Sequence, residues 1–332
     1  MASPNLTDTR ASYKAVFALD ICTAVIALGL LLLTTKPTFK RLKARQLSTP
    51  RKSSDAGGSV SPLKTSLGTY LFLYPALLCF FLAYLAQIVS DVLRTSGTID
   101  YGDNLQLSGR RPFSISGSGS RGAIAALSFL TALATIFFTT LLNGGVWIHS
   151  DHVTSNGTGL GKPTLKSKIW NTFILLCILI SGVAAWGRGL AVQDTSSSTV
   201  LTWTNVVHND NATRIIYVVH QCIVILASLS VSVQVLRDYF TTNTNASSSP
   251  ERSQLLRFAA VIVPMIWLRN AFIVLDIVLI FVNSAAWSAS TRLACLFLLI
   301  VFGQLANITI LGMILWGAWS MGKTVNVFGN GA

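Results

Sequence analysis

A few ionisable and amide side chains lie inside long apolar runs of this chain, and their types and spacing can do chemistry. The most informative run is Trp267-Leu-Arg-Asn-Ala-Phe-Ile-Val-Leu-Asp276. Arg269 and Asp276 are seven residues apart, so on a helix they share a face, with Phe272 between them. Withdrawing a carboxylic acid from water favours its neutral, proton-donating form, whereas an adjacent guanidinium favours the carboxylate. Asp20 is a second acid in such a setting, and Asn270 and Gln304 supply amides. Trp267, Phe272, Phe80, Phe81 and Tyr84 supply ring faces, whose quadrupole attracts any cation, a carbocation included. The competing account has Arg269 and Asp276 only pairing with neighbouring helices, and the aromatic residues filling core or facing lipid.

The elements that must position these groups follow from composition. Of 332 residues, 52% are hydrophobic and only 11% are charged, against roughly 25% charged in an ordinary soluble domain. Mean hydropathy is +0.59. A soluble enzyme, a secreted disulfide scaffold and a disordered chain are excluded. Seven apolar stretches run from Tyr13 to Thr35, Gly68 to Leu93, Gly122 to Ile148, Ile169 to Val192, Ile215 to Phe240, Phe258 to Val282 and Leu293 to Met321. Each is long enough to cross a hydrocarbon core of about 30 Å as a helix that satisfies its own backbone. The expected fold is all-α: a polytopic membrane protein, one seven-transmembrane-helix bundle over residues 1–332. The five cysteines, Cys22, Cys79, Cys177, Cys222 and Cys295, fall inside these stretches without metal-ligand spacing and read as small buried apolar residues.

Charge sets the expected orientation. The net charge is +13, which in a soluble protein would suggest nucleic acid. Here the excess sits between apolar runs, where cytoplasmic loops and anionic lipid account for it and no nucleic-acid partner is implied. The first stretch is followed at once by Lys36, Lys40, Arg41, Lys43, Arg45, Arg51, Lys52 and Lys64. That places the N-terminus outside and the C-terminus in the cytoplasm. Asn5 and Asn211, in Asn-x-Thr sequons, then face outward as glycosylation sites, while Asn156 and Asn245 face inward. Asp20 and Asp276 both fall roughly 10 Å below the outer face. With Gln87, Asp91, Arg188 and His220 at that side, the pattern predicts a polar cavity in the outer half and mostly aliphatic inner halves. Asp91, Arg188 and His220 are expected to be solvated at helix ends.

Several signatures are missing. The last stretch has no lysine for a retinal Schiff base, and no Asn-Pro pair precedes a tyrosine there, as a G-protein-coupled receptor would show. No Asp-Asp-x-x-Asp cluster exists to hold magnesium and a diphosphate. His149-Ser-Asp-His152 carries metal-ligating types but is expected in a short solvated loop without a third partner, so neither metal nor cofactor is assigned. In architecture, and in intramembrane Asp20 and the Arg269-to-Asp276 segment, the chain resembles the membrane-bound terpene cyclases of fungal meroterpenoid pathways, the ascofuranone and ascochlorin type. The resemblance implies a metal-independent cyclase of the endoplasmic reticulum or another endomembrane. It would close a prenyl chain on an aromatic core after protonating an epoxide or alkene. Its partner would be an apolar prenylated small molecule entering from the lipid bilayer. Asp276 would be the proton donor and Asp20 its rival. Arg269 would orient the acid or a substrate oxygen; Phe272 and Trp267 would face the cation, with Asn270 and Gln304 lining the site. The other class compatible with the sequence is a seven-span receptor or lipid-translocating exporter without covalent chemistry.

Overall fold

In a computed structural model of the chain, the structure describes residues 6–47, 62–99, 118–157, 165–195, 201–243, 256–281 and 289–329. These form α1 (Leu6–Leu47), α2 (Pro62–Ile99), α3 (Ser118–Gly157), α4 (Leu165–Thr195), α5 (Trp203–Asn209), α6 (Asn211–Asn243), a π-helical turn (Phe258–Ile262), α7 (Val263–Phe281) and α8 (Ala289–Gly329). No strand occurs among the described residues. Seven helical segments are long and apolar enough to cross a membrane: Lys14–Lys40, Leu67–Leu93, Gly122–Val153, Ser167–Asp194, Asn211–Phe240, Phe258–Ile280 and Val301–Ser320. All seven expected stretches are therefore present. The basic end denotes the side where α1 finishes and α2 begins; the far end carries Asp20 and Asp276.

The core joins most of the helices at once. Leu73, Leu77 and Phe80 of α2 meet Phe138 and Leu142 of α3, Ile262 and Ile266 of the π turn and α7, and Ile310 and Ile314 of α8. Ile178 of α4 packs separately against Val224 and Ala227 of α6. The outward faces are as apolar as the core: Leu33, Ile180 and Leu226 are 68%, 65% and 67% exposed. In water such faces would aggregate; in a bilayer they meet lipid. Cys22 and Cys222 lie on exposed faces too, and Cys79 and Cys177 are only partly covered, so these thiols are not the buried residues the sequence suggested.

Small residues let the helices approach closely. A Cβ on Gly144 of α3 would stand 2.6 Å from the Phe72 ring of α2. One on Gly182 of α4 would stand 2.5 Å from Ile136 of α3. The π turn ends just before Pro264, whose ring and missing N–H disrupt the normal bond to the carbonyl four residues back. The widened turn absorbs that mismatch without breaking the span.

Candidate functional site

At the far end, chemistry gathers around the short helix α5, which no apolar stretch had announced. Asp210 ends α5 and caps α6, accepting from the Thr213 N–H at 2.8 Å and the Thr213 hydroxyl at 2.6 Å. These two bonds, with Arg188 at 3.5 Å, hold the Asp210 carboxyl below the usual carboxylate range. The cap orients α6 so that the Tyr217 hydroxyl donates to Asp276 Oδ2 at 3.1 Å. Trp203 of α5 meets the Tyr217 ring edge-on at 6.0 Å and the Phe129 ring at 5.6 Å. Its own backbone N–H donates to Ser128 Oγ at 3.0 Å, and Trp186 Nε1 donates to the Phe129 carbonyl at 3.0 Å. Gly189 makes room on α4, since a Cβ there would stand 2.7 Å from the Trp203 ring. Asp276 is half-buried, with His208 of α5 among its electrostatic neighbours.

Asp20 lies in a different setting. It is 1% exposed. Its Oδ1 accepts from Gln304 Nε2 of α8 at 2.7 Å, while Thr23 Oγ1, one turn along α1, donates to Gln304 Oε1 at 2.5 Å. Tyr84 of α2 approaches both Asp20 and Gln304. Oδ2 of Asp20 is buried without a partner. This acid is sealed between three helices, so it can reach a ligand only if they part.

Arg269 and Asp276 share a face of α7 as their spacing requires, but two turns put them roughly 10 Å apart along the axis. They serve different neighbours. Arg269, 7% exposed, donates from Nη2 to Thr139 Oγ1 of α3 at 3.2 Å. His220, expected at a solvated helix end, is instead buried near Arg269 and hydrogen-bonded to Ser181 Oγ at 3.0 Å. Asn270 Oδ1 accepts from Ser228 Oγ of α6 at 2.8 Å, and its Nδ2 is buried without an acceptor. Phe272 stacks on Phe302 of α8 at 5.3 Å. Trp267 faces outward, 54% exposed, away from the aromatic group around Asp276. A charged side chain at mid-membrane costs about 2.5–3.5 kcal/mol on insertion scales, so Arg269 needs a reason to be there.

The halves of the helices toward the basic end are not the aliphatic blocks the sequence suggested. Helix α3 continues through Gly157, so His149-Ser-Asp-His152 is helical, with His149, Ser150 and His152 buried and Asp151 half-buried, and is not a solvated loop. Its last turns remain packed because Gly317 of α8 leaves space for the His149 ring, which stacks on Phe258 at 4.6 Å. Nearby, Gln234 of α6 donates to Asp151 Oδ1 at 2.9 Å and accepts from Asn171 Nδ2 of α4 at 3.3 Å. Ser150 Oγ donates to Asp238 Oδ2 at 3.4 Å. A crevice of about 10 Å³ between Asn143, Trp147 and Asn171 has room for one water. The sequence signal was the four-residue spacing of Thr131, Thr135, Thr139 and Asn143 along α3, with Asp151 eight residues further on the same register. No group of three or more His, Cys, Asp or Glu able to hold a metal occurs among the described residues.

Of the sequon asparagines, Asn211 opens α6, is exposed, and accepts from Arg214 Nη2 at 2.6 Å; Asn5 lies outside the described residues. No protein-family model, curated protein or solved structure matches the chain.

Proposed function

We propose that this multi-pass membrane protein is a metal-independent terpene cyclase of endomembranes, in which Asp276 protonates a prenylated aromatic substrate. The carrying observation is the company of Asp276: a half-buried carboxyl whose Oδ2 accepts from Tyr217, whose ring meets Trp203 edge-on, with Phe129 edge-on to Trp203 in turn. With the Tyr217 hydroxyl on Oδ2, Oδ1 is the oxygen available to carry the proton. Transfer to an epoxide oxygen breaks the C–O bond and leaves a tertiary carbocation. The π electrons of the chain then close the ring, and the proton lost from the cyclised cation returns to the Asp276 carboxylate, which restores the acid and the balance. Aromatic faces stabilise the cation without capturing it, and an apolar bundle keeps water away.

The test is cyclisation of a prenylated phenol epoxide by microsomes of a heterologous host, with products followed by mass spectrometry. A general acid contributes about 10²–10⁴-fold, so Asp276→Asn should lose at least about a hundredfold of activity at normal expression. Full activity in that variant would overturn the assignment. A second reading, a receptor or lipid exporter, is favoured by the close packing around the one-water crevice and the sealed Asp20. Under that reading a lipid bound by the purified protein is recovered chemically unchanged.

A further inference from the structure

Arg269 stands midway between Phe258 and Ile280, so roughly 16 Å of helix separates it from either end of its span. From that depth an arginine side chain cannot snorkel its charge to a headgroup. Among the described residues no carboxylate pairs with it. The two nearest acids by depth are engaged elsewhere, Asp20 with Gln304 at 2.7 Å and Asp276 with Tyr217 at 3.1 Å. Its surroundings offer more donors than counter-charge. Thr139 accepts one of its N–H groups at 3.2 Å, and Nδ2 of Asn270, the next residue along α7, is buried with no acceptor. A buried cation without a counter-ion is destabilising, and removing the partner of such a charge is among the costliest changes in a protein. The guanidinium fork is the side chain best matched to an oxyanion.

We propose that Arg269, with Thr139 and Asn270 beside it, forms a mid-bundle binding site for a singly charged anion. Two sources share that chemistry: the carboxylate of an amphipathic molecule entering from the bilayer, and a small anion such as chloride entering from water. The site is distinct from the Asp276 acid, which lies two turns away and turns to α6 instead of α3. It therefore does not rest on the cyclase reading.

The experiment uses the full-length protein in detergent at pH 8, where a carboxylic acid in solution is ionised, and reads the thermal midpoint. Decanoate is titrated against decanol, and chloride is exchanged for gluconate at constant ionic strength. An amphipathic ligand predicts a rise with decanoate, none with decanol, and no difference between chloride and gluconate. A small free anion predicts a higher midpoint in chloride, with decanoate adding no more than decanol. Arg269→Gln should weaken the effective anion about tenfold or more, whereas Arg188→Gln, an arginine already paired with Asp210, should leave it intact. Arg269→Lys keeps the charge but not the fork, so it should retain the anion preference at weaker affinity. This variant carries the test if Arg269→Gln does not fold. Wild-type protein with no anion-specific shift overturns the proposal. So does a shift of unchanged affinity in Arg269→Gln or Arg269→Lys.

Discussion

Of the aspartates toward the far end, Asp20, Asp210 and Asp276 have environments that give them different work. Asp20 is closed off by Gln304 and Thr23, Asp276 is half-buried and held by a tyrosine that a tryptophan meets edge-on, and Asp210 caps a helix where Arg188 can reach it. Only Asp276 combines a proton-carrying group with aromatic walls and partial access, which is why it carries the proposed chemistry. Asp210 has a structural role that pH can expose. Thr213 and Arg188 hold its folded-state pKa below the unfolded value of about 3.9. Its contribution is therefore complete above that value and lost as pH falls through the lower folded one. Asp210→Ala should cost about 1 kcal/mol, the usual value of an N-cap. In thermal unfolding of the detergent-solubilised protein, the gap between wild type and variant should stay constant from about pH 5 to 7 and close at lower pH. A gap that widens on acidification would contradict the capping role.

Helices in this bundle are held by small-residue contacts as much as by large side chains. The contrast between two glycines of α4 makes this testable. A Cβ at Gly182 would meet Ile136 at 2.5 Å and the His220 ring at 2.9 Å, both from helices packed against α4. At Gly187 nothing lies within 4 Å. Gly182→Ala should destabilise by about 1–3 kcal/mol through overpacking. Gly187→Ala should be neutral or gain up to about 1 kcal/mol from helix propensity. Comparing the thermal midpoints of the two variants checks the argument, and equal midpoints would refute it. The same logic explains α3. Its polar stripe survives in the helix interior because Thr131 and Thr135 donate to the carbonyls four residues back, at 2.9 and 2.8 Å. Asn143 does likewise with the Thr139 carbonyl at 2.9 Å.

Among the described residues, apolar side chains cover both the core and the outer faces, and the buried polar groups lie mostly in the seams between helices. That distribution suits a bilayer, where the protein's own groups must satisfy every buried polar atom. The basic loop after the first span predicts that the far end faces the exterior or lumen. Glycan mapping in a eukaryotic host should find a glycan at Asn211 and none at Asn156. A glycan at Asn156 alone would invert the bundle. The exposure of Asn211 at the start of α6 agrees with access from that side.

The sequence by itself determined the all-α class, the seven helices long and apolar enough to span a membrane, and the positions of Asp20, Arg269 and Asp276 along them. Hydropathy over about 20 residues and the rise per helical residue are local properties, readable without knowing any neighbour. The ends of α3, the short helix α5 and the polar seam at the basic end were not legible that way. Helix ends in polar sequence depend on what packs against them, as Gly317 does for His149. Partnership was the other matter for tertiary structure. Spacing put Arg269 and Asp276 on one face, but the packing of α3 and α6 against α7 gave Arg269 a threonine and Asp276 a tyrosine. Sequence periodicity fixes which way a side chain points; only the arrangement of the other helices decides what it meets there.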